Sequence, residues 1–142
     1  MSVLRFHLNS SLRPSEVMDV LTDFGPSRPQ EWPSIDAEHF TVHARGDTWA
    51  EVTEGTDSGW ERARYEWDPQ GDTVTVTTLD SKVFGPGGGW VFQMTPEGEG
   101  SRVDVQLDRE HPSTFKGKVL TTILPLAGPV FRKSFRGPLK AA

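Results

Sequence analysis

The chain has 142 residues, 35% of them hydrophobic, with a formal net charge of −5 and no cysteine. That length suits one domain with one core, taken as residues 1–142. No apolar run approaches the roughly 20 residues of a membrane span, and without cysteine there are no disulfides, thiolate nucleophiles or thiolate metal ligands. All twenty acidic residues precede Pro112, alongside nine Lys and Arg, a net −11; the rest carries Lys116, Lys118, Arg132, Lys133, Arg136 and Lys140 and no acid. The acidic body opposes general nucleic-acid binding. The basic end either packs over that body or makes weak peripheral contact with anionic lipid, at about 1 kcal/mol per Lys or Arg near the surface. Arg5, His7 and Asn9 interrupt the N-terminal apolar residues, unlike a secretory signal, so a cytoplasmic location is expected.

In chain order, Leu4, Phe6 and Leu8 alternate with polar residues and predict a half-buried strand. Pro14, Ser15 and Glu16 suit a helix start, and Val17, Val20, Leu21 and Phe24 fall on one helical face, ended by Gly25-Pro26. Pro29 and Pro33 allow only a short second helix and a bend around a buried Trp32. From residue 39 to residue 110, alternating runs separated by turn residues predict six consecutive antiparallel strands. The last is the clearest, with Val103, Val105 and Leu107 alternating with Asp104, Gln106 and Asp108. Beyond Pro112, Phe115, Val119, Ile123, Leu126 and Val130 share one helical stripe, which Pro125 and Pro129 should kink or divide. The expected class is therefore α+β: a seven-stranded antiparallel sheet with two short helical pieces after its first strand and a long, Pro-kinked C-terminal helix covering its apolar face. If the sheet curves around that helix, a cavity lies between them.

This order, with Pro14-Ser15-Glu16-Val17 leading to Leu21-Thr22-Asp23-Phe24, then Glu31-Trp32-Pro33, Phe84-Gly85-Pro86-Gly87-Gly88-Gly89-Trp90 and Leu126-Ala127-Gly128-Pro129, resembles the START-like, polyketide-cyclase and dehydrase (SRPBCC) superfamily across nearly the whole chain. The resemblance implies a helix-grip fold and a hydrophobic cavity for lipids, polyketides, steroids or hormone-like molecules. It implies no single chemistry, since such proteins include carriers and cyclases. Two prolines in the closing helix depart from the family pattern.

Few residues read as chemical groups. His39 and His43, on one strand, would stand roughly 13 Å apart, too far to share an ion, and no metal or other cofactor is expected. The glycine run lacks the Lys-Ser/Thr of a phosphate loop and reads as a flexible hairpin or as a gate over a cavity mouth. No nucleophile elbow is present. Arg109 continues the inward parity of β-residues Val103, Val105 and Leu107 and is a candidate for holding a carboxylate or phenolate. Glu51, taken to share the inward parity of Trp49, and Tyr65 are the candidate base and donor for a cyclisation or dehydration. Ligand-lining candidates are Trp49, Tyr65, Trp67, Phe84, Trp90, Phe92, Met94, Val105, Leu107 and Arg109 from the sheet side, with Phe115, Val119, Ile123 and Leu126 from the helix. The leading expectation is a non-catalytic binder or carrier of a hydrophobic small molecule or lipid. A cyclase/dehydrase-type enzyme and a membrane-peripheral or protein-interaction module are the alternatives.

Overall fold

The computed structural model of the chain describes residues 2–84, 86–109, 119, 124 and 127–141. The N-terminal alternation forms strand β1 (Ser2–Ser10), with Leu4 and Leu8 buried. Helix α1 (Pro14–Leu21) has Pro14 in its first turn, where a missing N–H is no loss, and the Glu16 carboxylate accepts hydrogen bonds from Arg13 N and Nε at 3.0 and 3.1 Å. The helix is shorter than its apolar spacing predicts: it ends at Leu21, and Phe24 is buried beyond it. The proline-rich stretch yields one helical turn, α2 (Arg28–Glu31), and a 3-10 turn over Ala37–His39, with Trp32 buried between them.

Six hairpin strands follow: β2 (Thr41–Arg45), β3 (Trp49–Thr56), β4 (Gly59–Asp68), β5 (Thr73–Ser81), β6 (Gly89–Glu97) and β7 (Gly100–Arg109). With β1 they make one antiparallel sheet in the order β1-β7-β6-β5-β4-β3-β2, as expected for the class. From β3 to β7 each strand lies beside its predecessor, β2 forms one edge, and β1 closes the other against β7. Register slips leave His43 in β2 and Leu79 in β5 without opposite partners, the bulges that let a sheet bend and twist more strongly. At the β5–β6 junction only glycine fits position 89. Its φ is +139°, and a Cβ there would stand 1.8 Å from the Val76 carbonyl oxygen.

Alternation places Ala50 and Val52, Ala63 and Tyr65, Val74 and Val76, Phe92 and Met94, and Val103, Val105 and Leu107 on the buried face. Helix α1 packs across β5, β6 and β7 on that face, and fully burying a side chain such as Val17 or Leu21 contributes about 1.5–3 kcal/mol. Of the expected closing stripe, Phe115, Ile123 and Leu126 lie outside the described residues, as does Pro125, and Val130 is exposed instead of facing the core. Val119 is 45% exposed, so it does not face the core as its spacing suggested, whereas Leu124 is buried against Leu4 and Leu107. Pro129 does not kink a helix interior: it stands in the first turn of α3 (Gly128–Arg136), where its ring is tolerated. Phe135 of α3 is buried on the sheet, and the tail returns to β1, with Ser11 N donating to Lys140 O at 3.2 Å. No helix among the described residues is long and apolar enough to cross a membrane.

Candidate functional site

Between the buried sheet face, the α2 bend and α3 lies a cavity of about 500 Å³, inside the range of small-molecule sites. One wall is aromatic. Trp90 and Phe92 stack at 6.0 Å with an interplanar angle of 11°. The Phe135 ring meets Trp32, Trp90 and Phe92 edge-on at 5.5, 5.6 and 5.6 Å, and Phe131 meets Trp90 at 5.2 Å. The period of α3 explains this wall, since Phe131 and Phe135 are four residues apart on one face.

The same cavity is bordered by two polar trios, the first buried and the second partly buried. In the first, Arg28 Nε donates to Glu54 Oε2 at 2.9 Å, Nη1 to the Leu21 and Asp23 carbonyls at 3.2 and 2.9 Å, and Nη2 to the Tyr65 hydroxyl at 3.2 Å. The Tyr65 hydroxyl donates in turn to Glu54 Oε1. Arg28 is 3% exposed, and its guanidinium lies 4.6 Å from the Phe24 ring centroid, a cation–π contact that desolvation strengthens. Burial alone would lower the Arg28 pKa; the Tyr65 and Glu54 oxygens outweigh it, and the net direction is upward. Burial first, and then the Glu54 charge, hold the Tyr65 hydroxyl well above the ordinary tyrosine value, so it stays protonated and is not a base.

In the second trio, Arg109 Nη1 donates to Thr78 Oγ1 at 2.8 Å and Glu61 Oε2 at 3.3 Å, and Thr78 Oγ1 donates to the same carboxylate oxygen at 2.8 Å. The Phe84 ring covers the Arg109 guanidinium at 4.7 Å. The two trios are neighbours because Glu54 and Glu61 stand directly opposite each other in the β3–β4 register.

Of the residues singled out from sequence, Tyr65, Phe84, Trp90, Phe92 and Arg109 meet around this cavity. Trp49 does not line it: the ring lies on the other side of β3, 4.5 Å from the Arg64 guanidinium. Glu51 follows Trp49 in parity, as expected, but that parity is outward, and its carboxylate pairs with Arg64 Nη1 at 3.1 Å and Arg62 Nη2 at 3.7 Å. Trp67 packs on Phe24 at 6.1 Å, away from the cavity lining. Met94, Val105 and Leu107 are buried filler behind it, Val119 is exposed, and Phe115, Ile123 and Leu126 lie outside the described residues.

Sequence reasoning missed the wall residues Trp32, Phe131 and Phe135 and the polar residues Arg28, Glu54, Glu61 and Thr78. Three of the polar four carried a legible signal. Glu54 continues the parity of Ala50 and Val52, Glu61 that of Ala63 and Tyr65, and Thr78 that of Val74 and Val76, the same continuation that singled out Arg109. The bulky Trp49 suggested the opposite face for β3. Arg28 had no such signal, because it comes from a one-turn helix whose approach to Glu54 is purely tertiary.

Among the described residues no group of three or more His, Asp or Glu side chains could hold a metal ion. His39 sits in the 3-10 turn and not on a strand, with Nδ1 2.7 Å from Asp36 Oδ1. His43 Nε2 lies 2.7 Å from Thr53 Oγ1.

The sequence matches no family model and no curated protein. Solved structures do match over nearly its full length. A START superfamily protein from Mycobacterium smegmatis superposes with a TM-score of 0.74 at 14% identity, covering 99% of this chain and 98% of that one. The Zhui aromatase/cyclase from Streptomyces sp. R1128 gives 0.77 at 10% identity, over 96% and 90%. A STAR-related lipid transfer protein from Xanthomonas axonopodis gives 0.70 at 15% identity, over 96% and 82%. The fold is START-like, the helix-grip arrangement in which a curved antiparallel sheet closes on a C-terminal helix.

Proposed function

We propose that this START-like fold binds or carries a hydrophobic small molecule or lipid in the cavity between sheet and C-terminal helix. The observation that carries the reading is the 500 Å³ space itself, walled by Trp32, Trp90, Phe92, Phe131 and Phe135, in a chain whose interior would otherwise be packed nearly free of voids. Solved structures of the same fold include one named a lipid transfer protein and one named an aromatase/cyclase, which supports both a carrier and a cyclase-type enzyme. The locked, protonated Tyr65 and the outward Glu51 cannot be the donor and base that a cyclisation was expected to use, which weighs toward the carrier although Glu61 also borders the cavity.

The first test is native mass spectrometry of purified protein followed by organic extraction, together with titration of the neutral fluorophore N-phenyl-1-naphthylamine. A co-purified apolar molecule, or saturable fluorophore binding at one site per chain, is expected. No extracted molecule and no binding up to the fluorophore's solubility limit would refute the reading.

A second reading, ligand exchange at an anionic membrane, is supported by α3. That helix bears Arg132, Lys133 and Arg136 with no acid, and its Val130 is 69% exposed while also bordering the cavity. Co-sedimentation with phosphatidylserine vesicles that weakens with salt is expected, and equal sedimentation with purely zwitterionic vesicles would exclude it.

A further inference from the structure

The two trios are chemically alike but differ in how fully their groups are used. Like charges directly opposite on neighbouring strands are destabilising, and Glu54 and Glu61 occupy such positions, so each is compensated by an arginine arriving from a different element. Around Arg28 the arrangement is closed. Nε, Nη1 and Nη2 all have acceptors, both Glu54 oxygens have donors, and the Tyr65 hydroxyl joins the two. Around Arg109 it is open. Only Nη1 of the arginine and Oε2 of Glu61 are engaged; Arg109 Nε and Nη2 and Glu61 Oε1 have no partner among the described residues. Arg109 and Glu61 both border the cavity.

Resting on the reading that the cavity holds a hydrophobic molecule, we propose that Arg109 and Glu61 select the polar head of that molecule: an uncharged group carrying a hydrogen-bond acceptor beside a donor, such as a primary amide, a phenol next to a carbonyl or a hydroxyketone. The acceptor takes the free Arg109 N–H groups and the donor meets Glu61 Oε1, so both halves of the open pair are satisfied at once. An anionic head is disfavoured by charge. The ionisable groups bordering the cavity among the described residues are two arginines and two glutamates, which sum to zero with Tyr65 neutral. A carboxylate ligand would bring an uncompensated negative charge into a partly desolvated space, next to the free oxygen of Glu61. Arg109 alone would attract an anion; Arg109 already neutralised by Glu61 does not. The Arg28 trio, with its hydrogen bonds made internally, acts as a rigid floor and not as a reader.

The test compares three probes of one shape by isothermal titration calorimetry on the full chain at pH 7: naphthalene, 2-naphthamide and 2-naphthoate. The wild-type protein is expected to bind 2-naphthamide at least about tenfold more tightly than 2-naphthoate and more tightly than naphthalene. In Glu61→Gln the arginine loses its counter-charge, and 2-naphthoate is expected to overtake 2-naphthamide. Naphthoate binding as tightly as naphthamide to wild type, or three equal affinities, would overturn the head-group selection while leaving the hydrophobic-cavity reading intact. An unchanged order in folded Glu61→Gln would overturn it too. If none of the three binds although N-phenyl-1-naphthylamine does, the head-group selection fails and the cavity reading stands; if the fluorophore also fails and no molecule is extracted, both fail. Should Glu61→Gln not fold by circular dichroism, the wild-type order alone decides.

Discussion

Replacing Arg28 with methionine removes the positive charge at the centre of the first trio while keeping an unbranched side chain in its place. The change leaves the Glu54 carboxylate without its ion pair and the Leu21 and Asp23 carbonyls without the donors they hold at 3.2 and 2.9 Å. The Arg28 and Glu54 side chains are only 3% and 10% exposed, so water relieves little of the loss. Breaking a buried pair by removing one partner costs about 3–5 kcal/mol, a large share of the roughly 5–15 kcal/mol that stabilises a domain. The double variant Arg28→Met with Glu54→Leu leaves no unpaired charge and is expected to recover part of that loss, the Tyr65 hydroxyl and the Leu21 and Asp23 carbonyls staying without their partners. Urea unfolding at pH 7, followed by tryptophan fluorescence and far-ultraviolet circular dichroism, measures both. A single-variant loss under about 1 kcal/mol, or a double variant less stable than the single, would show that the trio is not a compensated buried pair.

Four further outcomes follow from the same geometry. Tyr65 is the one tyrosine in the chain, and its raised pKa means that the folded state keeps a proton the unfolded chain releases. The stability it contributes is therefore present below about pH 10, the unfolded value, and is lost as pH rises through the folded one. Absorbance titration should place its ionisation above that of free tyrosine, and an ordinary midpoint would contradict the burial. Tyr65→Phe should cost about 1–3 kcal/mol at pH 7, by leaving Glu54 Oε1 without a donor, and should remove this alkaline loss in urea unfolding. Phe135→Ala deletes the ring on which Phe6, Trp32, Trp90 and Phe92 converge and should cost about 3–5 kcal/mol in chemical denaturation. Glu51→Gln, on the outer face, should change stability by less than about 1 kcal/mol and leave N-phenyl-1-naphthylamine binding unchanged; a weakened titration would place Glu51 at the site after all.

The sequence alone determined the order of elements and the class. Turn residues and period-two alternation fix where strands begin and end, because they act between near neighbours, and β1 through β7 fall where those patterns lie. The inward position of Arg109 was legible for the same reason: it extends an alternation already set by Val103, Val105 and Leu107. Tertiary structure decided which face of β3 is inward. Ala50 and Val52 pack on the core while Trp49 covers Arg64 outside, and a lone aromatic at a strand start carries too little weight to set parity. It also decided the partnership of Arg28 with Glu54, separated by 26 residues, and of Arg109 with Glu61, separated by 48. Such pairs depend on how the sheet curves and where a one-turn helix lands on it, and neither is encoded in any local period of the chain.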